Sequence, residues 1–526
     1  MYISVIIVKK FRHYEPEQVY LLPENPRTWL PEDHLVFFLD DVVDQLDLSA
    51  ITQPYEAEER GYPPYHPVMM GKVLFYAYCI GVFSSRKVMR HLHEDVAFRI
   101  ISGNNQPDFR TICEFRRRHL GALEGLFTQV LRLCMEANLV RLGHVSIDGT
   151  KVKANASRHK AMSYKRMGEK LERLRREVHT MLEEAERVDK EEDALYGDRS
   201  GMEMPEEISD PGKRREFIER AMRALEESPV EGEAVPSDDG SPSGRDLMGE
   251  EPLVELERRT GQMERITEGK RVLEERARQK AEEEENDDDD GPGDSGEDPG
   301  KKGSKSGKKK RKGRRGRKKG VRGPPVPKDK DQYNFTDPES RIMPDSSNSK
   351  AFIQGYNGQL VVDEANQIIL ASDVTENSSD RPQLRGMMDR VEEGCGKRPK
   401  RASGDAGYFS DGNLEYLESH GIDAYIPPGK EKHSRPFPRV PRGPIPREMS
   451  VPDRMRRKLR TKEGRKVYSR RKVIVEPPIG QIKHARGFRQ FSMRGKDNAR
   501  GEWALVCMTH NILRWFAVAG RVGPIG

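Results

Sequence analysis

Hydrophobic residues recur at spacings of three and four along the first part of the chain, which is the pattern of amphipathic helices. Four segments carry it, and they span residues 33–48, 68–83, 84–101 and 108–137. The Asn-Gln-Pro-Asp run at 105–108 is typical of a turn and a helix cap. The sequence therefore predicts an all-helical N-terminal domain over residues 1–140.

The last of these helices carries a basic cluster that includes Arg110, Arg116 and Arg117. One interpretation is a helix-turn-helix that docks on DNA, with these arginines as DNA-binding residues. The other is an amphipathic helix whose basic face is only solvated. The sequence leaves both interpretations open.

After residue 143 the pattern changes to that of strands. The β-branched run at 144–150 predicts a strand that ends at Asp148, and residues 355–362 and 367–374 predict an antiparallel pair. The chain continues with a helix at 381–393, a short strand that runs up to Asp405, a helix at 412–420 and a strand at 422–427. This alternation predicts an α/β domain with a mixed sheet flanked by helices.

The predicted sheet domain is split into residues 141–162 and 333–526 by an insertion at 163–332. Two segments of the insertion, 164–194 and 253–285, combine many charged residues with apolar residues at helical spacing. They predict helices or a short coiled coil.

The rest of the insertion is of low complexity, since residues 282–290 are almost wholly acidic and residues 301–322 almost wholly basic. Such segments cannot bury enough apolar surface to fold, so the insertion is predicted to be partly disordered. The basic segment either binds DNA or is a solvated loop without a partner.

Composition narrows the class of protein. Hydrophobic and charged residues each make up 34% of the 526 residues, and the net charge is only +6 because acidic and basic stretches offset each other. The basic stretches favour a polyanion partner. The five cysteines form no CxxC pair, which argues against a zinc ribbon or a secreted disulfide framework.

No apolar run approaches the roughly 20 residues needed to span a bilayer. We therefore expect a cytoplasmic protein without a membrane function.

Three acids are candidates for a metal site, and they are Asp148, Asp405 and Glu476. Mg²⁺ prefers oxygen ligands, and two such ions can stabilise the attacking and leaving oxygens of a phosphoryl displacement. Each acid has a structural alternative as a turn former or a helix cap. Glu476 precedes two prolines, so we predict a helix that begins at Pro477 with Glu476 near its N-cap.

Tyr468, Arg471 and Lys483 lie around Glu476 in a basic segment, a placement that suits binding of phosphates. This placement favours a metal site over helix capping. Three other acids, Asp345, Asp363 and Asp380, are assigned to loops.

Several motifs resemble those of the DDE transposases of bacterial insertion sequences. They are Leu-Pro-Glu-Asp-His at 30–34, Ser-Ser-Arg-Lys at 84–87, Arg-Thr-Ile at 110–112, Asp-Gly-Thr-Lys at 148–151, Gly-Tyr-Asn at 355–357, Gly-Asp-Ala-Gly-Tyr at 404–408 and the block at 475–483. The resemblance extends over nearly the whole chain outside the insertion. It implies an RNase H-like catalytic domain, with Asp148 on the first strand, Asp405 after the fourth and Glu476 on a later helix.

The resemblance also implies that Tyr468, Arg471 and Lys483 form a Tyr-Arg-Glu-Lys signature with Glu476 and contact DNA. Many relatives have three residues between the arginine and the glutamate, whereas four separate Arg471 from Glu476 here. Lys472 would restore the usual spacing, so it is a second candidate for the DNA-binding position. The six residues between Glu476 and Lys483 match the family pattern.

The function implied by the resemblance is transposition. The three acids would bind two Mg²⁺ ions, with Mn²⁺ as an alternative, and catalyse DNA strand cleavage and strand transfer. The implied partners are double-stranded DNA, as terminal inverted repeats and as target, and a second copy of the chain in a homodimer. The protein would work in the cytoplasm, associated with the nucleoid.

Two alternatives remain. One is a nuclease of the same fold that hydrolyses DNA without joining it. The other is a non-catalytic DNA-binding protein, which is either a decayed or a domesticated transposase.

Overall fold

A computed structural model of the chain describes residues 25–56, 63–196, 210, 212–216, 220, 250–287, 325–345, 351–429, 440, 441, 443 and 449–522. The chain forms two compact units, one made of Met1–Lys160 with Thr336–Gly526 and the other of Ala161–Phe335. The bounds of the second unit, 161–335, nearly coincide with those of the predicted insertion, 163–332. A separate domain over residues 1–140 stays a prediction.

The N-terminal part of the first unit is helical, as predicted. A short 3-10 helix at Pro26–Trp29 precedes α1 (Leu35–Asp44), α2 (Ser49–Glu56), α3 (Pro67–Cys79), α4 (Ser85–Glu94), α5 (Val96–Ile101) and α6 (Phe109–Glu136). Asp108 caps α6 as expected, because its carboxylate accepts hydrogen bonds from the first amides of the helix. The single helix predicted over 84–101 is divided at Asp95, whose carboxylate caps the start of α5.

The strands follow in the order β1 (His144–Lys153), β2 (Ala161–Ser163), β3 (Gln332–Asn334), β4 (Arg341–Pro344), β5 (Phe352–Asp363), β6 (Ile369–Thr375), β7 (Arg401–Ser403) and β8 (Asp423–Tyr425). In the first unit the hydrogen-bonded order is β4-β5-β1-β7-β8, and β6 also pairs with β5. β1 is antiparallel to β5 and parallel to β7, and β7 is parallel to β8. The predicted mixed sheet and the predicted antiparallel pair, β5 with β6, are confirmed.

The prediction that the first strand ends at Asp148 is wrong. β1 continues to Lys153, because β5 runs beside it and pairs with every residue from Val145 to Lys153. The sequence alone cannot show this partner, although pairing decides how far a strand extends. Asp148 therefore lies in the middle of a central strand.

The remaining helices are α7 (Tyr164–Tyr196), α8 (Glu250–Asp287), α9 (Gln383–Cys395), α10 (Asp411–Ser419), α11 (Val451–Arg460), α12 (Lys462–Gly480) and α13 (Lys496–Val522). α13 packs on β6 and also on α6, so the sheet and the N-terminal helices share one hydrophobic core. Its Trp503 is fully buried and donates a hydrogen bond to the Gln359 carbonyl at 3.0 Å. The C-terminal helix therefore packs on the sheet.

The prediction that a helix begins at Pro477 is wrong, because Pro477 and Pro478 lie inside α12. Proline has no amide hydrogen, so Pro477 leaves the carbonyl four residues earlier, at Val473, without its usual helical partner. The side-chain amide of Gln367 donates to that carbonyl at 3.0 Å. This contact satisfies the freed acceptor, and Glu476 is consequently a residue within the helix and not its cap.

The second unit consists of α7 and α8 with the two-stranded sheet of β2 and β3. Both predicted helices of the insertion are therefore confirmed. Their shared core is formed by Met167, Leu171, Leu174, Ile266, Leu273 and Tyr333. Outside this core an ion pair joins Arg259 to Glu177 at 3.0 Å. The basic segment predicted at 301–322 and the end of the acidic one, 288–290, lie outside the described residues.

Candidate active site

Two of the predicted acids lie on neighbouring strands of the sheet. Asp148 is on β1, and Asp405 comes two residues after the end of β7, which is the parallel neighbour of β1. The Asp405 carboxylate caps a short 3-10 helix, Ala406–Tyr408, by accepting a hydrogen bond from the Gly407 amide at 2.8 Å. This cap fixes the side chain of Asp405 at the end of its strand.

Asp148 lies in a poorly solvated and negatively charged environment, with its side chain 21% exposed. Burial raises the pKa of Asp148 to about 6. The Arg471 guanidinium, 3.2 Å away, opposes this shift, whereas the charges of Asp405 and Asp380 add to it. Burial and like charge therefore outweigh one ion pair, a balance that is common where carboxylates are held together for a metal.

Helix α12 brings Tyr468 and Arg471 to these acids. Tyr468 is partly buried, and burial raises its pKa. Arg471 opposes that rise in the pKa of Tyr468, and Asp405 and Asp148 contribute to it. The tyrosine and the arginine of the predicted signature thus lie near Asp148 and Asp405.

Glu476 is on the same helix, but its side chain is exposed. Glu476 lies five positions after Arg471, which is about 140° of rotation beyond one full helical turn. Among the residues that the structure describes, no group of three His, Cys, Asp or Glu lies close enough to hold a metal ion. Asp405 thus lies near enough to act on the charge of Asp148, but Glu476 does not complete a group of three acids with them. Lys472 is exposed as well.

Lys483 lies in a π-helical turn at Gln481–Ala485, directly after α12. Its ammonium group donates to Thr150 Oγ1 at 3.0 Å and to the Lys151 carbonyl at 2.9 Å. Burial lowers the pKa of Lys483, and the nearby positive charge of Lys151 acts in the same direction. The lysine of the predicted signature is thus anchored on β1, within a few residues of Asp148.

Asp380 belongs to the same site, although the sequence assigns it only to a loop. It lies between β6 and α9, and its Oδ1 accepts hydrogen bonds from Asn357 Nδ2 at 2.6 Å and Gln359 Nε2 at 2.8 Å. Lys151 Nζ is 3.3 Å from the same oxygen. A sequence signal for this site does exist, because Asn357 and Gln359 are polar residues two apart on a buried strand and therefore share one face.

Tyr408 lies near all three of these aspartates. It is fully buried, and its hydroxyl donates to Gln359 Oε1. Burial raises the pKa of Tyr408, and the charges of Asp380, Asp148 and Asp405 raise it further. The electrostatic neighbourhood of this tyrosine therefore includes all three aspartates.

The basic cluster of α6 divides into exposed and buried arginines. Arg110 and Arg117 are exposed, as a DNA contact requires. Arg116 is only 5% exposed, and its guanidinium donates to the Phe83 carbonyl at 2.8 Å and to the Tyr78 hydroxyl at 3.2 Å. The interpretation of Arg116 as a DNA-binding residue is therefore corrected, because the side chain is buried and both of its Nη groups donate inside the protein.

Two family models match the chain. One is described as a transposase domain (DUF772) and matches residues 24–118, and the other is described as a transposase DDE domain and matches residues 319–512. The second match contains Asp405 and Glu476, whereas Asp148 lies between the two matched regions. No curated protein and no solved structure matches the chain significantly.

With a transposase domain matched over the N-terminal helices and a DDE domain matched over the later strands and helices, the chain belongs to the DDE transposases of insertion elements. This family implies an RNase H-like fold for the sheet domain. Within the described residues, no helix is both long and apolar enough to cross a membrane.

Proposed function

We propose that this transposase binds the ends of its element and catalyses metal-dependent DNA strand cleavage and strand transfer. The observation that carries the proposal is the position of Asp148 on β1 and of Asp405 directly after β7, the parallel neighbour of β1, with Arg471 paired to Asp148. Carboxylates of this kind bind divalent cations, and a guanidinium can bind the phosphate that reacts there.

The strand arrangement supports an RNase H-like catalytic domain. If the short edge strand β4 is set aside, the sheet has three antiparallel strands, β6-β5-β1, that continue into the parallel strands β7 and β8. Asp148 is then on the first strand and Asp405 follows the fourth, as expected for this fold. The proposed catalytic domain is the one predicted at 141–162 and 333–526.

Asp148, Asp405 and Glu476 are the residues that would hold two Mg²⁺ ions, or Mn²⁺ in their place. Such ions, when bound, lower the pKa of an attacking water or hydroxyl and stabilise negative charge on the phosphate. The side chain of Glu476 is exposed on α12 and does not form a group of three acids with the two aspartates in this conformation, so its part in the site requires a rearrangement that binding of DNA or cations would stabilise.

The groups for binding DNA are distributed over two elements. Arg471 and Lys483 are placed beside β1 for the reacting phosphate, with Tyr468 and the exposed Lys472 on the same helical segment. Arg110 and Arg117 on α6 are exposed for contacts with duplex DNA further from the reaction. A homodimer on paired ends, in the cytoplasm near the nucleoid, completes the proposal.

The test is Mg²⁺-dependent cleavage of a labelled duplex that carries the ends of the element. Intact protein is compared with Asp148→Asn and Asp405→Asn at equal DNA occupancy, and Asp389→Asn serves as the control. Asp389 is a partly buried carboxylate on α9 that accepts a hydrogen bond from Tyr416, so this control removes a similar charge elsewhere. We expect cleavage to be lost in the first two variants and kept in the control. Full cleavage by Asp148→Asn would exclude Asp148 from the reaction.

A second candidate function is DNA binding without catalysis. The observation in its favour is that Glu476 does not lie with Asp148 and Asp405. Binding of the duplex without cutting, in intact protein and variants alike, would establish this second function.

A further experiment separates a transposase from a nuclease of the same fold. It uses a DNA substrate with a pre-cut end, because only a transposase joins that end to target DNA.

A further inference from the structure

Two arginines from different helices stack on one phenylalanine at the surface of the N-terminal helices. Arg86, in the first turn of α4, holds its guanidinium carbon 4.0 Å from the centre of the Phe109 ring. Arg110, in the first turn of α6, holds its own guanidinium carbon 5.7 Å from the same centre. Phe109 is half-buried, whereas both arginines are exposed. The ring therefore joins the starts of α4 and α6 and keeps two cations near each other.

Two further cations extend this cluster along α4, and they are the exposed residues Lys87 and Arg90. Arg90 lies four positions after Arg86 and three after Lys87, so it is a neighbour of both on the helix surface. We call Arg86, Lys87, Arg90 and Arg110 the α4–α6 basic surface. The Ser-Ser-Arg-Lys and Arg-Thr-Ile motifs supply three of its members. Of the four, the proposed function uses only Arg110.

The four cations of this surface have no acidic partner among the residues that the structure describes. Three acids close to them in sequence are engaged elsewhere. Asp108 caps α6, Asp95 caps α5, and Glu114 pairs with Arg117 at 2.8 Å. The positive charge of the surface is therefore open to a partner from outside the chain.

A purely structural role does not explain the charges of this surface. Like charges at spacings of three and four on a helix repel each other, and cations in the first turn oppose the helix dipole. Within the described helices α4 and α6, no acid lies in the first turn to offset this effect. These charges therefore cost folding stability, and a bound anion would relieve that cost.

We infer that the α4–α6 basic surface binds the phosphate backbone of duplex DNA. This inference rests on the proposed function, which makes duplex DNA the partner, and it adds Arg86, Lys87 and Arg90 to the binding groups. Charge complementarity supports it, because each cation placed at a phosphate releases a condensed counter-ion from the DNA.

Phe109 is a positioning residue in this surface. Its ring stacks on the flat guanidinium of Arg86, which restricts that side chain before DNA arrives. The N–H groups at the edge of a stacked guanidinium can still donate to phosphate oxygens. The stack therefore lowers the entropy that binding must remove.

The experiment measures binding of full-length protein to labelled duplexes by fluorescence anisotropy, without divalent cations so that the DNA is not cut. One duplex carries the ends of the element, and the other has an unrelated sequence of equal length. Arg86→Gln and Arg90→Gln should each weaken binding about fivefold at about 0.15 M salt and reduce the magnitude of the salt slope by about 1. Both duplexes should show the same loss, because phosphates carry no sequence information.

Arg187→Gln is the matched control for these two variants. Arg187 is an exposed arginine on α7 that pairs with Glu184 and Glu191, so its replacement removes the same formal charge outside the surface. The control should bind with the affinity and salt slope of intact protein. An equal loss in Arg187→Gln and Arg86→Gln would show that net charge sets the affinity, and it would overturn the inference.

Two variants that conserve charge test the stack, and they keep the inference testable if Arg86→Gln does not fold. Phe109→Leu removes the ring, and Arg86→Lys keeps the charge without the flat guanidinium. Both should keep the salt slope but weaken binding about two- to tenfold, because the side chain at position 86 must then be ordered on binding. Unchanged affinity in both variants, at an unchanged unfolding temperature, would overturn the positioning role of Phe109.

The outcomes separate this inference from the proposed function. Intact affinity and salt slope in Arg86→Gln and Arg90→Gln, with DNA binding and Mg²⁺-dependent cleavage by intact protein, would overturn the inference alone. A loss confined to the element ends would indicate base recognition and overturn backbone binding. Failure of intact protein to bind either duplex would overturn the proposed function and the inference with it.

Discussion

Arg471 Nη1 lies 3.2 Å from Asp148 Oδ2 and forms an ion pair with a carboxylate that we propose as a metal ligand. Arg471 is 12% exposed and Asp148 is 21% exposed, so water screens this pair only in part. Without metal, the guanidinium is the counter-ion of Asp148. A bound cation would take over that role and free Arg471 for a phosphate of the DNA.

This ion pair leads to a prediction for the pH dependence of cleavage. Arg471 opposes the rise in the pKa of Asp148, so Arg471→Gln should raise that pKa further above its value of about 6. In the proposed mechanism cleavage requires the ionised carboxylate of Asp148, so the acidic limb of the pH profile of cleavage should move to higher pH. The measurement is the pH profile of the cleavage rate at saturating Mg²⁺.

Arg470→Gln is the matched control for this prediction. Arg470 is the preceding residue on α12, but it pairs with Glu364 and is 51% exposed. Its removal should leave the acidic limb in place. An acidic limb that stays fixed in Arg471→Gln would show that the ion pair does not act on the reacting form of Asp148.

A second prediction concerns stability and pH in the metal-free protein. The folded-state pKa of Asp148, about 6, lies above its ordinary value of 3.8. The folded protein therefore binds this proton more tightly than the unfolded chain, so the stabilisation is complete below pH 3.8 and is lost as pH rises through 6. Between pH 4.5 and 7.5, intact protein should lose about 2 kcal/mol relative to Asp148→Asn. Chemical denaturation at each pH measures the difference.

Asp40→Asn should show the opposite sign. Burial acts to raise the pKa of Asp40, but Lys72 and Arg27 outweigh burial and lower that pKa, with each cation 2.6 Å from the carboxylate. The stabilisation by Asp40 is therefore present above pH 3.8 and is lost as pH falls. Equal pH dependence in the two variants would contradict the assignment of a raised pKa to Asp148.

A third prediction is that Gly149→Ala disrupts the site. The added methyl group would overlap Gln359 Nε2, so the amide contacts of Asp380 must shift. Overpacking of this kind costs about 1–3 kcal/mol, and we expect Mg²⁺-dependent cleavage to fall with it. Thermal unfolding and the cleavage assay measure the two effects.

Gly386→Ala is the control for overpacking. Gly386 lies in α9, and nothing lies within 4 Å of the position of an added Cβ. Alanine is the better helix former, so this variant should gain up to about 1 kcal/mol and keep its activity. Wild-type cleavage by Gly149→Ala would mean that the glycine is not needed to make room at the site.

A fourth prediction separates the arginines of α6. Arg116→Met should destabilise the protein by about 3 kcal/mol or more, because it removes one member of a buried polar network with Tyr78 and Glu502. Arg110→Ala and Arg117→Ala should leave stability unchanged and weaken DNA binding. Each of these two substitutions should reduce the magnitude of the slope of log affinity against log salt concentration by about 1.

The measurements for this fourth prediction are thermal unfolding and DNA affinity at several salt concentrations. If Arg117→Ala, Arg110→Ala and intact protein share one salt slope, α6 is an amphipathic helix whose basic face is only solvated. A stable Arg116→Met variant with weak DNA binding would restore the sequence-based interpretation of Arg116.

Much of the secondary structure could be predicted from periodicity. The helices of the N-terminal part, the pair β5 and β6 and the helices of the insertion all follow patterns of apolar residues that each segment carries by itself. The two errors near the site, the end of β1 and the start of α12, occur where a distant partner overrides a local rule. β5 extends β1 past Asp148, and Gln367 compensates for Pro477.

The sequence by itself determined the family, through short motifs around Asp148, Asp405 and Glu476, because the residue types and their spacing are readable without a fold. Only the tertiary structure decided which charged groups meet. It buried Arg116 in a network with Tyr78, brought Asp380 from a loop to the other aspartates, and left Glu476 exposed. The physical reason is that the charge and hydrogen bonding of a side chain depend on its spatial neighbours, and those neighbours come from strands and helices that are distant in sequence.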